Sequence, residues 1–214
     1  MSTPIFRSFY GKQIGADEWL RAWTAEYRQY DEREYQALIA KNGAFISLDY
    51  ERIGRWKDNA SSDGKWKPNV AMVAYEIWMQ AASQLPKCPA EEHVAEFLRN
   101  WSERNYRNKY RSGVAQEKRF GLSRATTLLH FLSGGHFPIF DSRVRRAVSR
   151  LFDWPARNTV LWYLDSYRPI FSQIAAACGT TDLRHVDKAL FCYGARNPFL
   201  IIDQPSVEAC LLSK

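Results

Sequence analysis

An all-α fold is what this sequence predicts. Apolar residues recur at helical spacings over most of the chain, turn formers punctuate them at helix-sized intervals, and convincing alternating runs are few.

Between Asp17 and Ala40, Trp19, Leu20, Trp23, Tyr27, Tyr30 and Leu38 fall at helical spacings interrupted by charge, which predicts one long helix or two short ones. Residues Gly43 to Tyr50 read as a short extended segment or a loop, and Ser61 to Pro68 as a loop dense in turn formers. Val70 to Gln84 is an apolar helix stopped near Pro86. Pro89-Ala-Glu-Glu92 opens the next, with proline and acids where a helix N-terminus accepts them, and it runs to about Trp101. Ser112-Gly113 marks a turn. Ser123 to Leu132 reads as a buried helix ended by Gly134-Gly135. Ser142 to Phe152 follows with Asp141 or Ser142 at its N-cap, then Thr159 to Ala177, kinked or broken at Pro169, and Asp182 to Tyr193, closed by Gly194.

No apolar run approaches the roughly 18 residues that span a bilayer. The start lacks the basic-then-apolar layout of a signal peptide, so a cytoplasmic protein with no membrane partner is expected. The cysteines at 88, 178, 192 and 210 form no C-x-x-C pair, which argues for free thiols and against a structural zinc or iron–sulfur site. No metal and no cofactor are expected.

Thirty basic against 23 acidic residues give a net charge of +7, which favours polyanionic partners. Arg99 to Arg124 carries eight basic and two acidic residues, and Arg143 to Arg157 carries five and one. Between these stretches lies the most informative segment. It reads as a glycine turn at Gly121, an apolar helix, a second glycine turn, then Asp141 opening a basic helix. A turn with outward-pointing amides backed by a helix N-terminus suits phosphate, and Lys118, Arg119 and Arg124 would add salt-dependent affinity. The interleaving of Arg52-Ile-Gly-Arg-Trp-Lys57 and Lys65-Trp-Lys67 would suit stacking on bases with phosphates alongside.

Phe137-Pro-Ile-Phe-Asp-Ser-Arg-Val-Arg-Arg-Ala147 resembles the F-P-V-D-T-H-V-x-R-V motif of the helix-hairpin-helix base-excision DNA glycosylases. Val186-Asp-Lys-Ala-Leu-Phe-Cys-Tyr-Gly-Ala195 is similar to that superfamily's late helix. The resemblance covers roughly Phe120 to Arg150 and Val186 to Ala195. It implies a single catalytic domain with the active-site cleft between two lobes, 30–135 and 1–29 plus 136–214, acting as a monomer on double-stranded DNA with a flipped target base. Asp141 falls on the catalytic aspartate. Lys118, Arg119, Gly121, Ser123, Arg124 and Arg143 would contact DNA, while Arg146 would support the fold. Tyr50, Trp56 and Trp66 are the aromatic candidates for the base pocket.

Two departures from the pattern matter. Arg119 replaces the hairpin's first glycine. Ser123 stands 18 residues before Asp141, where bifunctional members carry a Schiff-base lysine. A monofunctional glycosylase, leaving an abasic site, is therefore implied. Base loss builds positive charge on the sugar, and a carboxylate held against it stabilises that charge and aims a water. His130 and His136 are weaker candidates for a general base. The target is a modified or mismatched base, with bulky modified bases in phage DNA a specific possibility and DNA repair or antiviral defence the setting. The competing reading is a non-catalytic helix-hairpin-helix DNA-binding module.

Overall fold

Helix packing organises the structure, a computed structural model that describes residues 3–27, 32–58, 75–86, 89–109 and 115–196. In chain order the helices are α1 (Ala16–Ala25), α2 (Glu32–Ile39), α3 (Ser47–Asp58), α4 (Tyr75–Ala82) and α5 (Glu91–Ser102). Strands β1 (Asn105–Lys109) and β2 (Ala115–Arg119) precede α6 (Gly121–Leu132) and α7 (Ser142–Phe152). A short α8 (Val160–Trp162) runs through a π-helical turn, Tyr163–Tyr167, into α9 (Arg168–Ala177), and α10 (Leu183–Ala195) follows. The protein is mostly helical, as the periodicity predicts. The two strands form an antiparallel pair with Asn105 opposite Arg119 and Lys109 opposite Ala115. Their charged composition hid them from hydropathy patterning.

The span from Asp17 to Ala40 resolves into two helices. Trp19, Leu20 and Trp23 form the buried stripe of α1, and Tyr35 and Leu38 that of α2. Residues 43–50 are less extended than the sequence suggests. The chain turns helical at Ser47 because Asp49, almost fully buried, accepts the Ile46 amide at 2.9 Å, Lys41 at 2.9 Å and Arg52 at 3.2 Å. Burial works against the Asp49 charge, but the Lys41 and Ile46 hydrogen bonds outweigh it and hold its carboxyl below the usual range. Consequently Arg52 to Lys57 lies on a helix and not in a loop of rings and cations. Arg52 is held by Glu34, and Trp56 packs edge-on against Phe131 at 5.2 Å. The loop Ser61 to Pro68 lies outside the described residues.

The tightest packing joins α7 to α10. A Cβ added at Gly194 would lie 1.8 Å from the Arg143 carbonyl oxygen, so only glycine permits this crossing. Gly194 is thus inside α10 and does not end it. Arg146 Nε and Arg150 donate to the carbonyls of Gly194 and Tyr193 at 2.9 and 2.8 Å, which is the fold-supporting role expected of Arg146. On the other side of α10, Tyr193 meets Trp19 and Trp23 of α1 edge-on, at 5.7 and 5.0 Å. A second group joins α3 to α4 and α5 to α6, with Phe120 between Trp78 and Trp101 at 5.0 and 5.4 Å.

The segment from Phe137 to Phe140 is buried and irregular, so its backbone polar groups need partners. Five side-chain bonds supply them. His130 Nδ1 donates to the Phe137 carbonyl at 2.7 Å, and Ser133 accepts the Phe137 amide at 3.3 Å. The Tyr163 and Tyr167 hydroxyls donate to the carbonyls of Pro138 and Ile139, each at 3.0 Å. Thr126 accepts the Phe140 amide at 3.1 Å. The π turn spans the two tyrosines just ahead of Pro169, which lacks an amide hydrogen, so the chain passes proline by widening and not by breaking. Among the described residues no helix is long and apolar enough to cross a membrane.

Two predictions follow from this packing. Gly194→Ala should cost at least about 2 kcal/mol, read as a lowered melting temperature, because backbone must move. Burial drives the His130 imidazole down to about 4 from 6.5, so its neutral form is the stabilising one. The stability it contributes is complete above pH 6.5 and is lost as pH falls through 4, a loss on the order of 3 kcal/mol. Thermal melts across that window should show the fall in the native chain and not in His130→Asn.

Candidate functional site

Asp141 adopts extended backbone (φ −120°, ψ −179°) and caps α7. Its Oδ1 accepts the amides of Arg143 and Val144, both at 2.9 Å, satisfying two donors that the first helical turn leaves open. The second oxygen is not used by the helix. Oδ2 lies 3.5 Å from the Lys57 ammonium, with the two side chains 14% and 9% exposed. The capping role and an outward-facing carboxylate oxygen therefore coexist in one residue.

Around this pair lies a cleft of about 400 Å³. α7 contributes Asp141, Ser142, Arg143 and Arg145, and α6 contributes Gly121, Ser123 and Arg124. Arg119 enters from β2, Lys57 from α3 and Phe191 from α10. Gly121 takes φ +81°, and a Cβ there would meet nothing within 4 Å, so the turn opens onto space. Arg124 donates to the Phe120 carbonyl at 3.2 Å and Arg143 lies over the Phe191 ring at 4.3 Å. Arg119 pairs with Glu103 at 2.7 Å, an exposed contact worth well under about 1 kcal/mol and readily exchanged. Five cations thus line one concave surface together with Asp141, an arrangement that attracts an anionic chain and presents one carboxylate to it.

The expected DNA contacts Arg119, Gly121, Ser123, Arg124 and Arg143 are brought together with Asp141. Lys118 is on β2, but its side chain is outside the described residues, as is all of Trp66. Tyr50 is elsewhere. It lines a separate cavity of about 600 Å³ with Phe45, Met79 and Leu132, about two helical turns before Lys57 on α3. Trp56 is a core residue at 8% exposure. It borders a crevice shared with Tyr27, Lys57, Asp141, Arg184 and Asp187, but only about 10 Å³ is open there, so no wide pocket adjoins it. His130 spends both ring nitrogens, on Phe137 and on the Tyr35 hydroxyl at 2.9 Å, and His136 is exposed and does not line the cleft.

No family model, curated protein or solved structure matches the chain.

Three site residues escaped the sequence reading: Lys57, Asp187 and Arg184. Lys57 was visible only as one cation in a run assigned to a loop. With residues 47–58 read as helix, Ile53 and Trp56 mark the core face, and Lys57, four residues after Ile53, lies on its edge with a side chain only 9% exposed. Asp187 and Arg184 sit on the buried face of α10, 2.5 Å apart, with Arg184 also contacting Tyr27 at 2.8 Å. Burial pushes the Asp187 carboxyl above its ordinary value and Arg184 pulls it back. Their i,i+3 spacing beside apolar neighbours is the signal that could have marked them. Among the described residues no three His, Cys, Asp or Glu side chains group as metal ligands. Cys178 is a buried thiol pushed up to about 11 by its burial, and Cys192 is half-buried.

Substitution separates the two roles of Asp141. Asparagine caps as well as aspartate, so Asp141→Asn should be more stable than Asp141→Ala by about 1 kcal/mol in denaturant titrations. Equal stabilities would show that the cap carries no weight.

Proposed function

We propose that this chain is a DNA glycosylase, with Asp141 as the carboxylate that stabilises the sugar cation as the N-glycosidic bond breaks. One observation carries the reading most: a nearly buried carboxylate has one oxygen committed to backbone amides and the other aimed into a cleft whose remaining charges are cations. Held at a helix N-terminus, it needs no reorganisation as positive charge develops beside it. The resemblance of the Phe137–Ala147 segment to the helix-hairpin-helix glycosylases supports the same assignment, and with it a two-lobed fold and a duplex DNA substrate. On this reading the turn at Gly121 and the cations Arg119, Arg124 and Arg143 grip backbone phosphates. The target nucleotide leaves the stack to reach Asp141 in the cleft. The product is a free base and an abasic site.

Base release is measured by incubating the protein with duplexes carrying modified or mismatched bases, and with genomic and phage DNA, then detecting freed bases by mass spectrometry. Release should fall by about 10²–10³-fold in Asp141→Asn. Release that persists undiminished in that variant removes Asp141 from the chemistry. Tight, steeply salt-dependent binding without release from any substrate would leave the chain a DNA clamp.

A further inference from the structure

We propose that Lys57 is a nucleophilic amine that condenses with the sugar aldehyde of an abasic site, giving this protein a strand-cleaving lyase activity. The inference rests on the glycosylase reading for its substrate and on the Lys57–Asp141 geometry for its chemistry.

The cleft holds five cations, and four of them are arginines: Arg119, Arg124, Arg143 and Arg145. Guanidinium groups suit phosphate but stay protonated and do not form imines. Lys57 is the one primary amine among the described residues lining the cleft. It also differs in placement. Its side chain is 9% exposed, whereas that of Arg119 is 67% exposed. Arg119 is exposed enough to meet a phosphate, whereas this amine is largely withdrawn from water, 3.5 Å from the carboxylate that faces the sugar. Whatever places C1′ against Asp141 places it against Lys57. The amine is also firmly delivered. Trp56, packed on Phe131 and Tyr35, anchors the preceding residue, and the Asp141 oxygen facing Lys57 is the one the helix cap does not use.

The expectation of base release alone rested on Ser123 in the hairpin. Lys57 reaches the same carboxylate from α3, a different part of the chain, and removes that ground. Opening of the abasic hemiacetal exposes a C1′ aldehyde. The Lys57 ammonium first gives a proton to the Asp141 carboxylate, and the neutral nitrogen then adds to C1′. Asp141 returns that proton to the added oxygen, which leaves as water with one hydrogen from the nitrogen, giving a protonated imine. Asp141, a carboxylate once more, takes a proton from C2′. The resulting enamine expels the 3′ oxygen, so that the C3′–O bond breaks with its electron pair on the departing phosphate. Water then hydrolyses the imine and restores the amine. No oxidant or reductant is consumed.

The test uses duplex DNA with a preformed abasic site, made by removing uracil with a separate enzyme, so it does not depend on knowing the target base. The full chain is mixed with this duplex and borohydride, which reduces the imine to a stable secondary amine. A covalent protein–DNA band is expected, and peptide mass spectrometry of the native chain should place it on Lys57. Lys57→Arg keeps a cation beside Asp141 but should lose the adduct, and strand cleavage without alkali, at least about 100-fold. No adduct, an adduct mapped to another amine, or cleavage undiminished in Lys57→Arg would overturn the proposal. Mapping the native adduct requires no variant, so a poorly folding Lys57→Arg does not block the test. Base release without any adduct would leave the glycosylase reading standing and this inference refuted. An adduct on Lys57 without base release from any DNA would support the amine and refute the glycosylase reading.

Discussion

The constraint on which the site depends is that the irregular, buried backbone from Phe137 to Phe140 has to find hydrogen-bond partners away from water. A buried unpaired amide or carbonyl costs on the order of 1–3 kcal/mol, and this segment presents several in succession. α6 contributes Thr126 and His130, with Ser133 just beyond its end, and the π turn contributes Tyr163 and Tyr167. Those five bonds leave the chain little freedom as it reaches Asp141. The fixed entry then allows one carboxylate oxygen to cap α7 while its partner oxygen faces the cleft. A loosely held aspartate would spend both oxygens on whichever amides or cations came nearest.

Charge in this molecule divides by depth. The exposed Arg119 at the cleft is paired weakly with Glu103 and exchanges partners at small cost, while the half-buried Arg143 lies over a ring. The buried charges are tied into networks: Asp49 with Lys41 and Arg52, and Arg184 with Asp187, Glu32 and Tyr27. Removing one member of such a network leaves the others desolvated and unpaired, which is the expensive case. Lys57 and Asp141 fall between the two classes, mostly withdrawn from water yet opening on a cleft, and that intermediate depth is where charge is both costly to hold and available to a ligand.

Much of the helical framework was legible in the sequence, and the reasons are visible element by element. Trp19, Leu20 and Trp23 mark α1 and Asp141 marks the start of α7, because burial stripes and caps are local signals. The β1–β2 pair was not legible, since polar strands such as Asn-Tyr-Arg-Asn-Lys carry no alternation and owe their existence to each other. Helix α3 was missed because its start depends on Asp49 meeting Lys41 and the Ile46 amide, a contact that propensity does not encode. At the site, Arg119, Gly121, Ser123, Arg124 and Arg143, near Asp141 in sequence, line one cleft with it. Lys57 and Asp187 arrive from α3 and α10, and only tertiary packing reveals that they belong together. Tyr50, singled out for its chemistry, lines another cavity because it lies about two turns before Lys57 along α3, beside α4 and not beside Asp141.

Gly194 has a mechanical consequence. With no room for even a methyl group between α7 and α10, the two helices behave as a single rigid piece. Asp141, Arg143, Asp187 and Phe191 all ride on that piece, whereas Gly121, Ser123 and Arg124 ride on α6, and Lys57 rides on α3. The cleft therefore lies along the line where α3 and α6 face the α7–α10 pair. The Lys57–Asp141 contact spans this line, so the site is held by two parts of the chain that are distant in sequence.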